Sequence, residues 1–160
     1  MSESDTQKAL LFGESVWQTV MNGESLQELN DIPQETMDSL YHCAYNLYHQ
    51  HKLEEAETLF RYLCLLKARN KSYLMGLAAV HQLKKKYHRA IDIYSAAHTV
   101  AGDDFRPMFQ AGYCHLIIKN HVKARYCFDL VISSSHDSEL RKNAQKYLDI
   151  LDKMSGNVND

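Results

Sequence analysis

Residues of this chain come back at an interval of 34. Ala56 and Phe60 return as Ala90 and Tyr94, then as Ala124 and Phe128. Ala44 returns as Ala78 and Gly112, and Leu40 as Leu74 and Met108, at the same spacing. No insertion disturbs the register across three copies. A chain patterned this way does not gather around one centre. Each unit has an apolar face that it cannot bury alone, so consecutive units must stack.

Counted from Met37, the small residues stand at positions 8 and 20 and the aromatic at position 24. That combination is the tetratricopeptide signature, two antiparallel helices per unit. Small residues belong where the paired helices approach, because a bulky side chain there would push the axes apart. The aromatic then fills the seam against the next pair. The fold expected is all-α, a helical solenoid of three repeats at 37–70, 71–104 and 105–138. Second helices are expected to begin near Leu53, Tyr87 and His121, after short turns at 49–52, 84–87 and 119–121.

Both flanks lie outside the register. Residues 1–36 form an N-terminal segment whose Leu10, Phe12, Val16, Trp17, Val20 and Met21 recur at helical spacing from Thr6 to Met21, where Asn22-Gly23 stops the helix. This apolar face is either a cap on the first repeat or, since an exposed apolar face marks a partner surface, a homodimerisation surface built on Leu10, Phe12, Val16 and Trp17. Ser25 and Glu28 read as a capping box over a short turn at Leu26 and Leu29, and Pro33 as the first residue of a helix over Gln34–Gln50. At the other end, Leu140, Ala144, Tyr147, Leu148 and Leu151 make a closing helix to Met154, and 155–160 reads as a disordered tail.

With 160 residues the chain suits one domain, and a net charge of −2 gives no general pull toward nucleic acid or anionic lipid. No signal peptide or membrane-spanning stretch is evident, so a cytoplasmic protein is expected. Lys84, Lys85, Lys86 and Arg89 form the one basic run and read as a solvated corner. Cys43, Cys64, Cys114 and Cys127 fall within helical patterns without a CxxC pair, as small hydrophobes do. The histidines follow the repeat, His81 and His115 sharing one position, and no phosphate loop, HExxH or GxSxG occurs. No enzyme, metal site or cofactor is expected.

Function is expected on the first helices, whose positions 5, 9 and 12 face the concave side of such a solenoid. These are Tyr41, Tyr45 and Tyr48, then Met75, Ala79 and Gln82, then Phe109, Tyr113 and Leu116. A tyrosine stripe is most often core. Here Leu40, Cys43, Ala44 and Leu47 already supply a core stripe, so a second apolar stripe is left for a partner. Tyrosine offers large contact area with little entropy to lose, which suits an extended peptide with spaced apolar anchors. A clamp for an acidic C-terminus would need basic residues at these positions, and only Arg106 is near.

The run Asp31 to Tyr41, then Ala44-Tyr45, LEEAETLFRYLC at 53–64, MGLAAVHQLKKKY at 75–87 and VKARYCFDLVI at 122–132, resembles the class II chaperones of bacterial type III secretion. The likeness runs from about Gly23 to Leu151. It implies a cytoplasmic chaperone that holds an extended, proline- and leucine-containing segment of a secreted pore-forming translocator on the concave face, with Tyr41, Tyr45 and Tyr48 among the contacts. It also implies a dimer through the N-terminal helices and, in some relatives, assistance to a transcription regulator. A generic protein scaffold and a transcription co-regulator are the alternatives.

Overall fold

The computed structural model describes residues 3, 4, 7, 8, 10, 11 and 32–156. From Gln34 onward seven helices follow: α1 Gln34–His49, α2 Leu53–Leu66, α3 Lys71–Leu83, α4 Tyr87–Ala101, α5 Arg106–Ile117, α6 His121–Ser134 and α7 Ser138–Gly156. The second helices of the repeats begin at Leu53, Tyr87 and His121, the residues the register indicates. Residues 3, 4, 7, 8, 10 and 11 are also helical, while the proposed stop at Asn22-Gly23 and the capping box at Ser25 lie outside the described residues.

Length suggests one domain, but the chain divides into two compact units, Met1–Lys84 and Lys85–Asp160. The division falls inside the second repeat, between α3 and α4. A stack held by nearest-neighbour interfaces has no shared centre, so it can separate at any turn. In the first unit Met37, Leu40, Cys43, Ala44 and Leu47 of α1 pack on Ala56, Leu59, Phe60 and Leu63 of α2 and on Tyr73 and Val80 of α3. In the second, Ala124, Phe128 and Val131 of α6 meet Ala144, Leu148 and Leu151 of α7, with Met108, Phe109 and Leu116 of α5 against them.

Small residues stand where rings come closest. A β-carbon on Gly76 would lie 2.2 Å from the Phe60 ring, so α3 can seat against Phe60 only with a bare backbone there. A β-carbon on Gly112 would lie 2.9 Å from Cβ of Cys127 and 3.1 Å from the Phe128 ring, within the α5–α6 pair. Position 8 is thus the close approach of paired helices, as its residue types indicate. Gly76, at position 6, serves the seam between repeats and has no periodic counterpart.

The turns inside each repeat share one backbone device. His51, Lys85 and Lys119 occupy the same repeat position and have φ of 57°, 59° and 60°. In the first turn the amide of Lys52 donates to the Leu47 carbonyl and that of His51 to Tyr48; in the third, Asn120 donates to His115 and Lys119 to Leu116. Both are Schellman closures, which place one residue in the left-handed region that a side chain disfavours.

Three details differ from the sequence expectations. Pro33 precedes the helix rather than opening it: its ψ of 142° is extended, and its carbonyl accepts from the Met37 amide. Lys84 is no solvated corner, since its ammonium bonds Glu54 at 2.7 Å and also Glu57, and its side chain is 12% exposed. Burial opposes its charge, yet the bonds to Glu54 and Glu57 outweigh that and hold its pKa above the usual lysine value. The last helix runs two residues past Met154, with the Ser155 hydroxyl donating to the Leu151 carbonyl at 2.9 Å.

Three substitutions test this account. Gly76→Ala should lose about 1–2 kcal/mol, overpacking outweighing the better helix propensity, and lower Tm by roughly 2–8 °C. Adding Phe60→Leu should make the pair less costly than the sum of the singles, measured as a double-mutant cycle by thermal denaturation. Lys119→Gly should raise stability by about 0.5–1 kcal/mol in urea titration, because it relieves the left-handed residue.

Candidate functional site

The apolar stripe of α1 that the core leaves over is a cluster of rings seated on Phe60. Tyr45 meets Phe60 edge-on at 5.7 Å between centroids, and Tyr41 does so at 6.2 Å. Tyr41 and Tyr45 are 5.0 Å apart, and Tyr45 and Tyr48 6.2 Å. All three tyrosines are half-buried while Phe60 is fully buried. Each ring therefore rests one edge on the core and keeps part of its surface open. Such edge-to-face pairs add about 0.5–1.5 kcal/mol each beyond area burial, which holds the rings in place before any partner arrives.

Two further side chains complete the cluster. Tyr73 of α3 lies 5.6 Å from Tyr41, and His49 lies 5.3 Å from Tyr48. Sequence reasoning missed Tyr73 for a plain cause: its register partners are Ser39 and Pro107, so no periodic signal marks it. The other expected residues of this unit, Met75, Ala79 and Gln82, are half-buried along α3.

Burial, then the hydrogen bond with Tyr45, pushes the Tyr41 phenol up to about 12. Burial, and after it Tyr45, also raises Tyr48, and burial raises Tyr73. These phenols stay neutral at any physiological pH, so the face offers apolar surface and hydroxyls, not charge.

The second unit carries a parallel cluster. Phe109 is 5.6 Å from Phe128 and 5.8 Å from Tyr147, and Tyr113 is 5.8 Å from Tyr147. Tyr147 stacks on Phe128 at 5.1 Å with planes 9° apart. Phe109, Tyr113, Leu116 and Tyr147 are all half-buried. Tyr147 was assigned to the closing helix alone, although a signal was present: it stands 34 residues after Tyr113. The closing helix thus continues the register far enough to supply position 9 of a fourth unit.

Among the N-terminal residues, Leu10 is half-buried and packs against the first core, a cap contact for that residue. Phe12, Val16 and Trp17 lie outside the described residues. Among the described residues no group of three His, Cys, Asp or Glu side chains could hold a metal ion. Burial pushes the Cys64 and Cys114 thiols up to about 12 and Cys127 to about 11. His81 lies 3.9 Å from Glu57. The His115 pKa is lowered by burial, then by Lys123 and His88, and among the described residues its Nδ1 has no hydrogen-bond partner. Nothing in this arrangement makes a thiolate nucleophile. No described helix is long and apolar enough to cross a membrane.

Register, helix pairs and ring seams define a tetratricopeptide-repeat protein, and the tetratricopeptide repeat family matches residues 37–70 and 72–97. The chaperone protein SicA of Salmonella typhimurium is 46% identical over 138 residues, 86% of this chain and 84% of SicA. The structure of SycD from Yersinia enterocolitica with a peptide of the translocator YopD is similar at a TM-score of 0.73 and 26% identity, covering 79% of this chain and 99% of that one. An alternative dimer of SycD is similar at 0.74 and 25% identity, covering 79% and 98%. The chain belongs to the class II translocator chaperones of type III secretion. It is a chaperone and not an enzyme.

Thiol chemistry provides a check on the packing. At pH 8 the folded protein should leave Ellman's reagent unconsumed over minutes, and all four cysteines should react once guanidinium unfolds it. Fast reaction of Cys64 alone would show that the C-terminal end of α2 opens.

Proposed function

We infer that this chaperone holds extended apolar segments of secreted, pore-forming translocators in the bacterial cytoplasm until export. The client lies against the face of Tyr41, Tyr45, Tyr48, Met75, Ala79 and Gln82 in the first unit and of Phe109, Tyr113 and Leu116 in the second. The observation that carries this reading is the half-burial of the tyrosines over a fully buried Phe60: they are fixed from below and open above. SycD, which shares the fold, carries a translocator peptide. Burying one leucine-sized anchor contributes roughly 1.5–3 kcal/mol. Two or three anchors, less the ordering cost of the peptide, leave a Kd around micromolar, firm enough to shield a client and weak enough to release it.

The N-terminal segment is the self-association surface in this reading, through Leu10, Phe12, Val16 and Trp17. SycD provides the precedent of a dimer. Leu10, packed on its own first core, roots the segment.

Peptides tiled across the translocator YopD, read by fluorescence anisotropy, test the binding face. Tyr41→Ala with Tyr45→Ala should raise Kd about 10–100-fold while far-UV circular dichroism keeps its helical form. Tyr41→Phe with Tyr45→Phe should stay within about threefold, since the ring contacts persist. A double alanine variant that loses helicity, with the folded fraction binding as before, would return these rings to the core.

A further inference from the structure

The last helix, α7, keeps the register of the repeats but has no helix to pair with. Counted on from residue 139, its positions 4 and 8 are Lys142 and Lys146. In the three repeats position 4 holds Leu40, Leu74 and Met108, and position 8, the close approach of the pair, holds Ala44, Ala78 and Gly112. Among the described residues no second helix follows α7, and both lysines are exposed. The side that has lost its partner has become charged, as the terminal element of a stack requires.

Positions 5, 9 and 12 do not follow that change. They are Asn143, Tyr147 and Ile150. The side-chain oxygen of Asn143 accepts from the Lys146 ammonium at 3.1 Å, so the row opens on a polar residue. Beyond it the row is apolar. Tyr147 is half-buried, Ile150 is 45% exposed, and Met154, one turn further on, is as exposed as Ile150. By helical spacing these residues share one stripe, set between the core stripe of Leu140, Ala144, Leu148 and Leu151 and the charged side of Lys142 and Lys146. A helix that only closed the stack would be polar on this row too.

We propose that α7 is a wall of the client site, where Tyr147 and Ile150 hold an apolar side chain of the translocator's extended segment beside Phe109 and Tyr113. The inference rests on the client reading above and adds a subsite to it within the second unit. Ring contacts argue for this occupant. Tyr147 lies 5.8 Å from Phe109 and 5.8 Å from Tyr113, the position-5 and position-9 residues of α5. A segment covering those two rings therefore meets Tyr147 as the next ring of the same surface. Tyr147 is also braced from beneath, stacked on the fully buried Phe128 at 5.1 Å. Ile150 and Met154 then extend the apolar stripe along α7, and an apolar stripe left in water marks a partner surface. An extended segment suits a stripe one residue wide, since alternate side chains of such a segment point to one face.

The YopD peptides, read by anisotropy on the full chain, test this with Ile150→Ser plus Met154→Ser in one variant and Tyr41→Ala plus Tyr45→Ala in another. The α7 pair should raise Kd about five- to tenfold. It should also keep its thermal midpoint, because both side chains are exposed in the free chain. Ile150→Cys labelled with benzophenone maleimide should photocrosslink to bound peptide, with the unsubstituted chain as the blank. Gln145→Cys, on another side of α7, should not. An unchanged Kd in the α7 pair, with the tyrosine pair still weakening binding, overturns this inference and leaves the client reading standing. A weaker Kd without a peptide crosslink from residue 150 also overturns it, since the loss then comes from the fold. So does a crosslink that joins two copies of the chain and reaches no peptide. If no peptide binds, or neither pair weakens binding, both readings fall.

Discussion

The ring at position 24 is the contact on which the rest of this structure depends. Phe60 is fully buried where α1, α2 and α3 meet, touching Tyr41 and Tyr45 on one side and the bare backbone of Gly76 on another. Phe128 holds the corresponding place in the second unit, against Phe109, Tyr147 and Gly112. One aromatic therefore sets the approach of its own helix pair and the seating of the element that follows. Small residues are required around it because a ring fills volume that a close-packed interior cannot also give to a side chain.

The face proposed for the client is a consequence of that seam. In the first repeat positions 5 and 9 of the first helix stand over the position-24 ring, so Tyr41 and Tyr45 are braced from beneath. Half-buried tyrosines lose little freedom on binding, so a face of this kind suits recognition by shape and apolar contact. A chaperone of unfolded apolar segments needs this combination. A charged clamp would bind chain termini, and a deep enclosed pocket would bind one compact ligand.

Polar groups act at the margins of the stack. Lys84 closes the end of α3 by bonding Glu54 and Glu57 of α2, which gives the largely buried Glu57 carboxylate a cation. The three left-handed residues at the intra-repeat turns, His51, Lys85 and Lys119, keep side chains where glycine would be relaxed. Their recurrence at one position shows that the turn geometry belongs to the repeat, whatever residue occupies it.

Much of this was legible in the residues alone. The 34-residue period located the helix pairs, the starts of the second helices and the core stripe of α1. Each depends on spacing along the chain, and spacing is local information. The resemblance around Ile32-Pro33 and the repeats pointed to the translocator chaperones, to which the chain belongs. Tyr73 joining the first cluster, Gly76 yielding to Phe60 and Lys84 turning inward were not legible, because none repeats at the period. Tyr147 could have been found by carrying the register one step beyond the third repeat. The amino-acid order thus dictates which residues recur and so what each helix pair looks like. Which side chains from neighbouring pairs share a seam depends on atoms distant in the chain being brought within van der Waals reach, and folding alone supplies that proximity.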